Sequence, residues 1–285
     1  MNVSVLSLLL VTVVWGATFP VLKIATAQLS GIETSALRFA LAALCMLPWA
    51  VRAPRQTWRD GAFLGALVLF SYVAQAIGLQ HISSNRSAFL TSLNVLMVPF
   101  LGVLFGKSLS WRVLLAAGVA CLGIGLMSWE GGADLFADAA TVAGALGYAL
   151  YVILLSAWAS RHSPRNLAAT QIVWMAVLGV LWMLVDAQGS DRLQTLPGRL
   201  HADVLWGLAY LGVVATAAML FLQARAQRHV SANQAALIYA MEPVFAALFA
   251  WLGLGEALSL RAAVGAALVV LAVVYSEWPA APAKA

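Results

Sequence analysis

The length of its apolar runs constrains this chain more than any other feature. About ten stretches carry roughly the 20 mostly apolar residues that a helix needs to cross the hydrocarbon of a bilayer. They are Ser4–Ile24, Ile32–Val51, Gly61–Leu79, Ser87–Phe105, Trp111–Trp129, Ala139–Ala159, Leu167–Val185, Val204–Ala224, Ala232–Leu254 and Ala262–Trp278. In hydrocarbon a segment must satisfy its own backbone polar groups, so the runs predict helices. The connections are short apart from Asp186–Asp203, and none has room for a soluble domain. Charged residues make up 9% of the chain, against about 25% in a soluble domain. That is too little polar surface to cover a globule in water. The expected fold class is an all-α membrane protein of ten transmembrane helices.

A second feature divides the chain in two. The stretch His81-Ile82-Ser83-Ser84-Asn85-Arg86-Ser87-Ala88 returns as His229-Val230-Ser231-Ala232-Asn233-Gln234-Ala235-Ala236, with His, Ser, Asn and Ala in matching places. A one-residue slip follows Asn94 and Glu242. After it, Gly106, Leu109, Ser110, Arg112 and Trp129 match Gly255, Leu258, Ser259, Arg261 and Trp278. The copies stand half a chain apart, too far for a solenoid and right for a duplicated half. The expected units are 1–130 and 131–285, two five-helix repeats in one integral membrane body.

The formal net charge of +5 calls for no nucleic-acid partner, because membrane chains carry excess Lys and Arg on the cytoplasmic side. With the N-terminus inside, the inner loops hold Arg52, Arg55, Arg59, Lys107, Arg112, Arg161, Arg165, Arg225 and Arg228. The outer loops hold Arg86, Arg192, Arg199 and Arg261 together with Glu130, Asp134, Asp138, Asp186, Asp191 and Asp203. Both termini are therefore expected in the cytoplasm. Five helices per half make the second half enter from the opposite side, so the repeats are expected to be inverted. Transporters that rock around a midplane site are built this way. The apolar start reads as a retained first helix, since no basic residue precedes it. The tail from Pro279 reads as a polar, unstructured end. Cys45 and Cys121 lie inside apolar runs, which argues against a disulfide framework.

Polar side chains within membrane helices are costly and tend to face an interior or a cavity. In the fourth helix Ser84, Ser87, Thr91 and Asn94 share a face by their three- and four-residue spacing; the matching face of the ninth is Ala232, Ala235, Tyr239 and Glu242. The third helix offers Tyr72 and Gln75, the sixth Gly144, Tyr148 and Tyr151, and the first Thr12, Trp15 and Thr18. The candidate substrate-binding set is Trp15, Thr18, Tyr72, Gln75, Ser87, Thr91, Asn94, Tyr148, Tyr151, Tyr239 and Glu242. It describes an aromatic-lined cavity with hydroxyl and amide groups. The competing reading is that such residues only join helix to helix. Glu242, alone among the acids in lying deep in an apolar run, could carry a proton, meet a substrate ammonium, or bond a backbone group freed by Pro243. Arg38 and Lys23 are expected to snorkel to the headgroups, with attraction of a substrate carboxylate as the alternative. Gly61/Gly65 and Gly102/Gly106 read as small-residue packing pairs. Trp49, Trp58, Trp111, Trp129 and Trp278 form an interfacial belt.

Pro20, Pro99 and Pro243 lie within predicted helices and free the carbonyls of Gly16, Val95 and Tyr239. With Gly16 they are the candidate hinge positions, and a static kink is the alternative. His81, His162, His201 and His229 fall in predicted loops, so no buried metal cluster is expected. No His-Glu-x-x-His, Gly-x-Ser-x-Gly or paired intramembrane aspartate speaks for an enzyme. No loop is large enough for the signalling domain of a receptor.

Trp15-Gly16-Ala17-Thr18-Phe19, Arg38-Phe39 and Glu242-Pro243-Val244-Phe245-Ala246-Ala247-Leu248 leading to Gly255-Glu256 resemble the drug/metabolite transporter superfamily over nearly the whole chain. They are most similar to its ten-helix exporters, among them bacterial exporters of amino acids, including aromatic ones. The first half departs from the pattern, with Lys107 where the family often has an acid like Glu256. The resemblance implies a carrier of the bacterial inner membrane, with a central cavity lined by helices one, three, four, six, eight and nine. It implies small-molecule substrates, most simply amino acids, moved by alternating access without a cofactor. Export of cationic drugs or quaternary amines is the alternative.

Overall fold

The computed structural model describes residues 3–128, 134–254 and 259–277, and every regular element among them is helical. In chain order the α-helices are α1 (Val3–Gly16), α2 (Thr18–Gln28), α3 (Gly31–Ala50), α4 (Arg55–His81), α5 (Ser84–Ser92), α6 (Asn94–Leu104), α7 (Trp111–Ser128) and α8 (Leu135–Trp158). They continue as α9 (Pro164–Asp186), α10 (Arg192–Arg199), α11 (Ala202–Ala209), α12 (Met219–Ala226), α13 (Ala232–Tyr239), α14 (Glu242–Leu254) and α15 (Leu260–Glu277). A π-helical stretch, Tyr210–Ala218, joins α11 to α12. Among the described residues seven helical columns are long and apolar enough to cross a membrane: Val3–Gln28, Gly31–Ala50, Arg55–His81, Arg86–Leu104, Leu135–Arg161, Pro164–Asp186 and Ala202–Ala226. Of the other expected spans, Trp111–Met127 and Leu260–Ser276 are shorter apolar helices, and the stretch from Ala232 is broken at Ala240–Met241. Trp129, Glu130, Gly255, Glu256, Leu258, Trp278 and the tail from Pro279 lie outside the described residues.

The repeated His-x-Ser-x-Asn stretch turns out to be a helix start. Ser83 (φ −69°, ψ 159°) accepts from the Arg86 amide, and Ser231 (φ −67°, ψ 157°) from the Gln234 amide. Each N-cap satisfies an amide that the first turn leaves without a partner. The helices that follow break at corresponding places, Leu93 and Ala240–Met241.

The break between α1 and α2, at Ala17, and that between α13 and α14 fall within one turn before Pro20 and Pro243, as expected for a proline that removes a backbone donor. Leu93 is too far from Pro99 for that cause. There the Asn94 amide takes the Thr91 carbonyl at 2.9 Å, and the backbone tightens to i→i+3 bonds on either side. Protein side chains likewise answer the carbonyls near the first break: Thr18 Oγ1 donates to Trp15 O at 2.6 Å and Tyr210 Oη to Val14 O at 2.8 Å.

Gly61 and Gly65 act as the expected packing pair. A Cβ on Gly65 would lie 2.6 Å from the Gln171 carbonyl, so α4 and α9 approach backbone to backbone. Gly102/Gly106 does not. Gly106 has φ +73° and nothing within 4 Å of an added Cβ. It ends α6 in a left-handed cap, with Lys107 N bonded to Gly102 O and Gly106 N to Val103 O. The α7–α15 pair closes on glycine as well, a Cβ on Gly123 lying 2.6 Å from Gly265 O. The core runs through Leu8, Phe39, Leu64, Tyr151, Leu155 and Met175, all fully buried, while Leu44, Leu122 and Leu271 point outward.

The two ends of the bundle differ in charge. At the end where α3 and α8 begin, Arg199 pairs with Glu33 at 2.7 Å, Arg86 with Asp138 at 2.5 Å and Arg192 with Asp186 at 2.7 Å. At the other end Arg52, Arg55, Arg59, Arg161, Arg165, Arg225 and Arg228 are exposed, and no ion pair holds them among the described residues. His162, expected in an open loop, is buried there. Its Nε2 is 2.7 Å from Asp60 Oδ2 and its Nδ1 3.1 Å from Thr57 Oγ1. No cluster of three metal-ligating side chains occurs among the described residues.

Candidate functional site

Polar side chains from α1, α2, α3, α4, α5, α6, α8 and α14 meet at one small cavity in mid-bundle. Trp15, Thr18, Arg38, Ser71, Tyr72, Gln75, Thr91, Asn94, Tyr148 and Glu242 line it, and its volume is about 30 Å³. That is close to the volume of one water, whereas a small-molecule site runs to roughly 300 Å³ or more. In this conformation the cavity is too small for such a molecule.

Eight of the sequence-derived candidates are on its wall: Trp15, Thr18, Tyr72, Gln75, Thr91, Asn94, Tyr148 and Glu242. Their hydrogen bonds follow from the helix breaks. Thr18 holds the Trp15 carbonyl, Asn94 that of Thr91, and Gln75 Nε2 reaches across from α4 to Thr91 Oγ1 at 3.1 Å. Tyr151 and Tyr239 stand behind the wall. The Tyr148 ring lies 5.6 Å from Tyr151, 6.0 Å from Tyr239 and 6.0 Å from Trp15, and Trp15 lies 5.6 Å from Tyr239. Tilted and edge-on packing of this kind suits the ring quadrupoles. Ser87 is fully buried, away from the cavity, and its hydroxyl has no protein partner. Thr12 bonds the Leu8 carbonyl of its own helix at 2.7 Å.

Arg38 corrects the sequence reading. It does not snorkel. It is the eighth residue of α3, about 10 Å into the helix at 1.5 Å per residue, and only 4% exposed. Its guanidinium donates through Nε (3.2 Å) and Nη2 (2.9 Å) to Thr216 Oγ1 and lies 5.0 Å from the Tyr72 ring centroid and 5.2 Å from that of Phe39. The π-helical stretch makes this seat. Thr216 Oγ1 donates five residues back to Leu211 O at 2.7 Å, and the carbonyl of Ala215 accepts from Trp15 Nε1 at 2.8 Å. Such wide turns recur at functional sites because they re-aim side chains and free backbone groups. Lys23 was also misread: its Nζ caps the end of α4 through the carbonyls of Leu79 (2.7 Å) and Ile82 (3.1 Å).

The cavity therefore presents a guanidinium and a carboxyl group, and no ion pair joins Arg38 to Glu242 among the described residues. Glu242 stands in the first turn of α14, beside the tightest contact of the site. A Cβ on Gly16 would lie 2.8 Å from Phe245 Cβ, 3.0 Å from Ala246 N and 3.1 Å from Glu242 O. Gly16 thus has a packing reason to be glycine, besides the hinge role expected of it.

Below the cavity, toward the arginine-rich end, a vestibule of about 660 Å³ opens between α6, α8 and the turn into α13. Lys107, Arg228 and His229 stand on its wall, with Ser156, Gln227 and Asn233. Gln171 and Gln223 are fully buried amides that the sequence reading passed over. The rule that singled out Gln75, an amide inside an apolar run, would have found both.

A family model described as "EamA-like transporter family" matches the chain twice, over residues 2–129 and 135–277. Among curated proteins, an "Uncharacterized transporter" of Archaeoglobus fulgidus is 28% identical over 272 residues, covering 94% of this chain and 84% of that protein. A second one from the same organism is 24% identical over 269 residues, covering 91% and 93%. A solved structure titled "Crystal structure of protein" superposes with a TM-score of 0.76 at 16% identity, covering 97% of both chains. At that identity the likeness speaks for the fold alone.

Proposed function

We propose, from the premise that this chain belongs to the EamA-like transporter family, that it exports small zwitterionic metabolites, amino acids first among them, by alternating access. The observation that carries this reading is the pairing of Arg38 and Glu242 on one cavity wall. A zwitterion needs a cation and an anion held apart, and aromatic surface beside them accepts varied side chains. The carboxylate would meet Arg38 and the ammonium Glu242, with Gln75 and Asn94 in reach of either. A site for lipophilic cations has no use for a buried guanidinium. Counterflow in proteoliposomes with labelled amino acids and quaternary amines tests it: amino acids should exchange. Exchange of quaternary amines alone would reassign the protein to drug export.

The reading includes ten spans in two inverted repeats, near 1–130 and 131–285. Three things support it. The family model matches twice, once per half. The expected counterparts pack as pairs: α3 on α9, α7 on α15, α6 on α13. A glycine contact also recurs: a Cβ on Gly65 would meet the carbonyl of Gln171 at 2.6 Å, and one on Gly212 that of Arg38 at 2.8 Å. Arg38 and Gln171 are each the eighth residue of a helix with a serine N-cap.

The reading has the arginine-rich end of the bundle, and both termini, in the cytoplasm of a bacterial inner membrane; the exposed arginines at that end support it. With Cys45 and Cys121 replaced by alanine, single cysteines within Arg52–Asp60 or Arg161–Asn166 should react with impermeant maleimides only from inside. Those within Gly189–Gly198 should react only from outside. The reverse pattern would invert the orientation.

A further inference from the structure

We infer that the seam between α8 and α12 is the leg of the transport path joining the central cavity to the vestibule, with Gln223 as the positioning residue that holds it shut. This rests on the reading that the cavity receives substrate. Tyr148 belongs to the cavity wall and Ser156 to the vestibule wall. They are eight residues apart on α8, about 12 Å along a helix. What fills that interval is polar. Gln223 Nε2 donates to Tyr148 Oη at 3.0 Å, while Tyr151 Oη sits 3.3 Å from Gln223 Oε1 and 3.4 Å from Gln171 Oε1. One turn further along the α12 column, Gln227 Nε2 donates to Ser156 Oγ at 2.9 Å and to Val152 O at 3.3 Å.

Some buried hydroxyls elsewhere bond only their own helix, as Thr26 does to Leu22 O and Thr141 to Ala137 O. Seam residues instead bond one another between helices. Gln171, Gln223 and Gln227 are at most 1% exposed, and two of their polar atoms, Gln171 Nε2 and Gln227 Oε1, have no protein partner. Packing alone would be served better by apolar side chains, since a buried polar group without a partner is destabilising. The two contacts of Tyr151 are long for O–H···O bonds, so its hydroxyl can exchange them readily. A zwitterion crossing an apolar partition would shed its hydration with nothing in return. Along this seam amides and hydroxyls replace water in turn, and the ring of Tyr148 swings only when Gln223 lets go.

The test is accessibility, and it needs no substrate. With Cys45 and Cys121 replaced by alanine, Thr91→Cys places a reporter on the cavity wall. A membrane-impermeant methanethiosulfonate is applied separately to each face of sealed vesicles. Adding Gln223→Ala should raise the modification rate from the vestibule face about tenfold, the effect of losing one or two net hydrogen bonds from a closed state. The rate from the opposite face should hold. Gln223→Met keeps the volume without the hydrogen bonds and should act alike, which covers the case of an alanine variant that fails to fold. Thr141→Ala, which removes a buried hydroxyl bonded within α8, should leave both rates unchanged. An unchanged rate in a folded Gln223 variant, or an equal rise from both faces, overturns the inference. Because no amino acid takes part, a wrong substrate class would show in counterflow and not here.

Discussion

Replacing Arg38 with methionine should lower amino-acid counterflow at least about thirtyfold, the equivalent of roughly 2 kcal/mol, the low end for truncating one partner of a buried, hydrogen-bonded charge pair. Counterflow of the corresponding decarboxylated amine should change by no more than about twofold, the scatter of a contact it does not make. Methionine is long and adaptable enough to fill the space, so the comparison isolates the charge. Arg38→Lys should recover only part of the loss. An ammonium keeps the charge but cannot grip Thr216 Oγ1 through two nitrogens while lying over the Phe39 and Tyr72 rings. Initial rates at subsaturating substrate measure both effects. Equal losses for amino acid and amine would make Arg38 a packing residue of the α3 contact with the π-helical stretch.

Glu242→Gln should abolish the acceleration of transport by a pH gradient, while counterflow, weakened by loss of the ammonium's charged partner, should stay measurable. Glu242 is the sole acid on the cavity wall among the described residues, and glutamine keeps its shape while losing the proton. An intramembrane carboxyl facing a space the size of a water can exchange a proton and pass it across as the site alternates. The measurement is uptake into proteoliposomes with and without an imposed pH difference. Full pH-driven uptake by the variant would reduce Glu242 to a residue that starts α14 after the break at Ala240–Met241.

The all-helical class, the breaks before Pro20 and Pro243 and most of the cavity wall were legible in the sequence, because hydrocarbon enforces the link between composition and structure; the break at Leu93, which Asn94 and Thr91 answer and not Pro99, was not. A polar residue there has few places to go, so spacing on one face found Tyr72, Gln75, Thr91 and Asn94. Arg38 was misplaced because a long side chain near a helix end reaches headgroups or interior with equal ease. What decides is the partner, here a threonine far along the chain in a π-helical stretch, and wide turns leave no periodic mark. Gly102 and Gly106 were misjudged because four-residue spacing does not say whether a glycine is for closeness or for positive φ. Gln171 and Gln223 carry the same signal as Gln75, an amide inside an apolar run, and were legible by the same rule. The substrate volume could not be read at all, since the closed cavity is set by how helices lean and not by which residues face it.

On the proposed two-repeat reading Arg38 matches Gln171 and Glu242 matches Asn94, so each matched pair stays polar while only one member of it is charged, the cation in the first half and the anion in the second. In a strictly two-fold pair of repeats, a dipolar cargo would sit equally well either way up, and each change of state would invite it to tumble. Breaking the symmetry with one cation and one anion fixes a compass direction inside the site. The cargo's orientation relative to the protein then stays the same whichever mouth is open. A dipolar cargo of the kind proposed would therefore leave by the far side with the same end leading as when it entered. Stereochemical discrimination follows from the same asymmetry: with ammonium and carboxylate pinned, the side chain of an L-amino acid and that of its mirror image point at different walls.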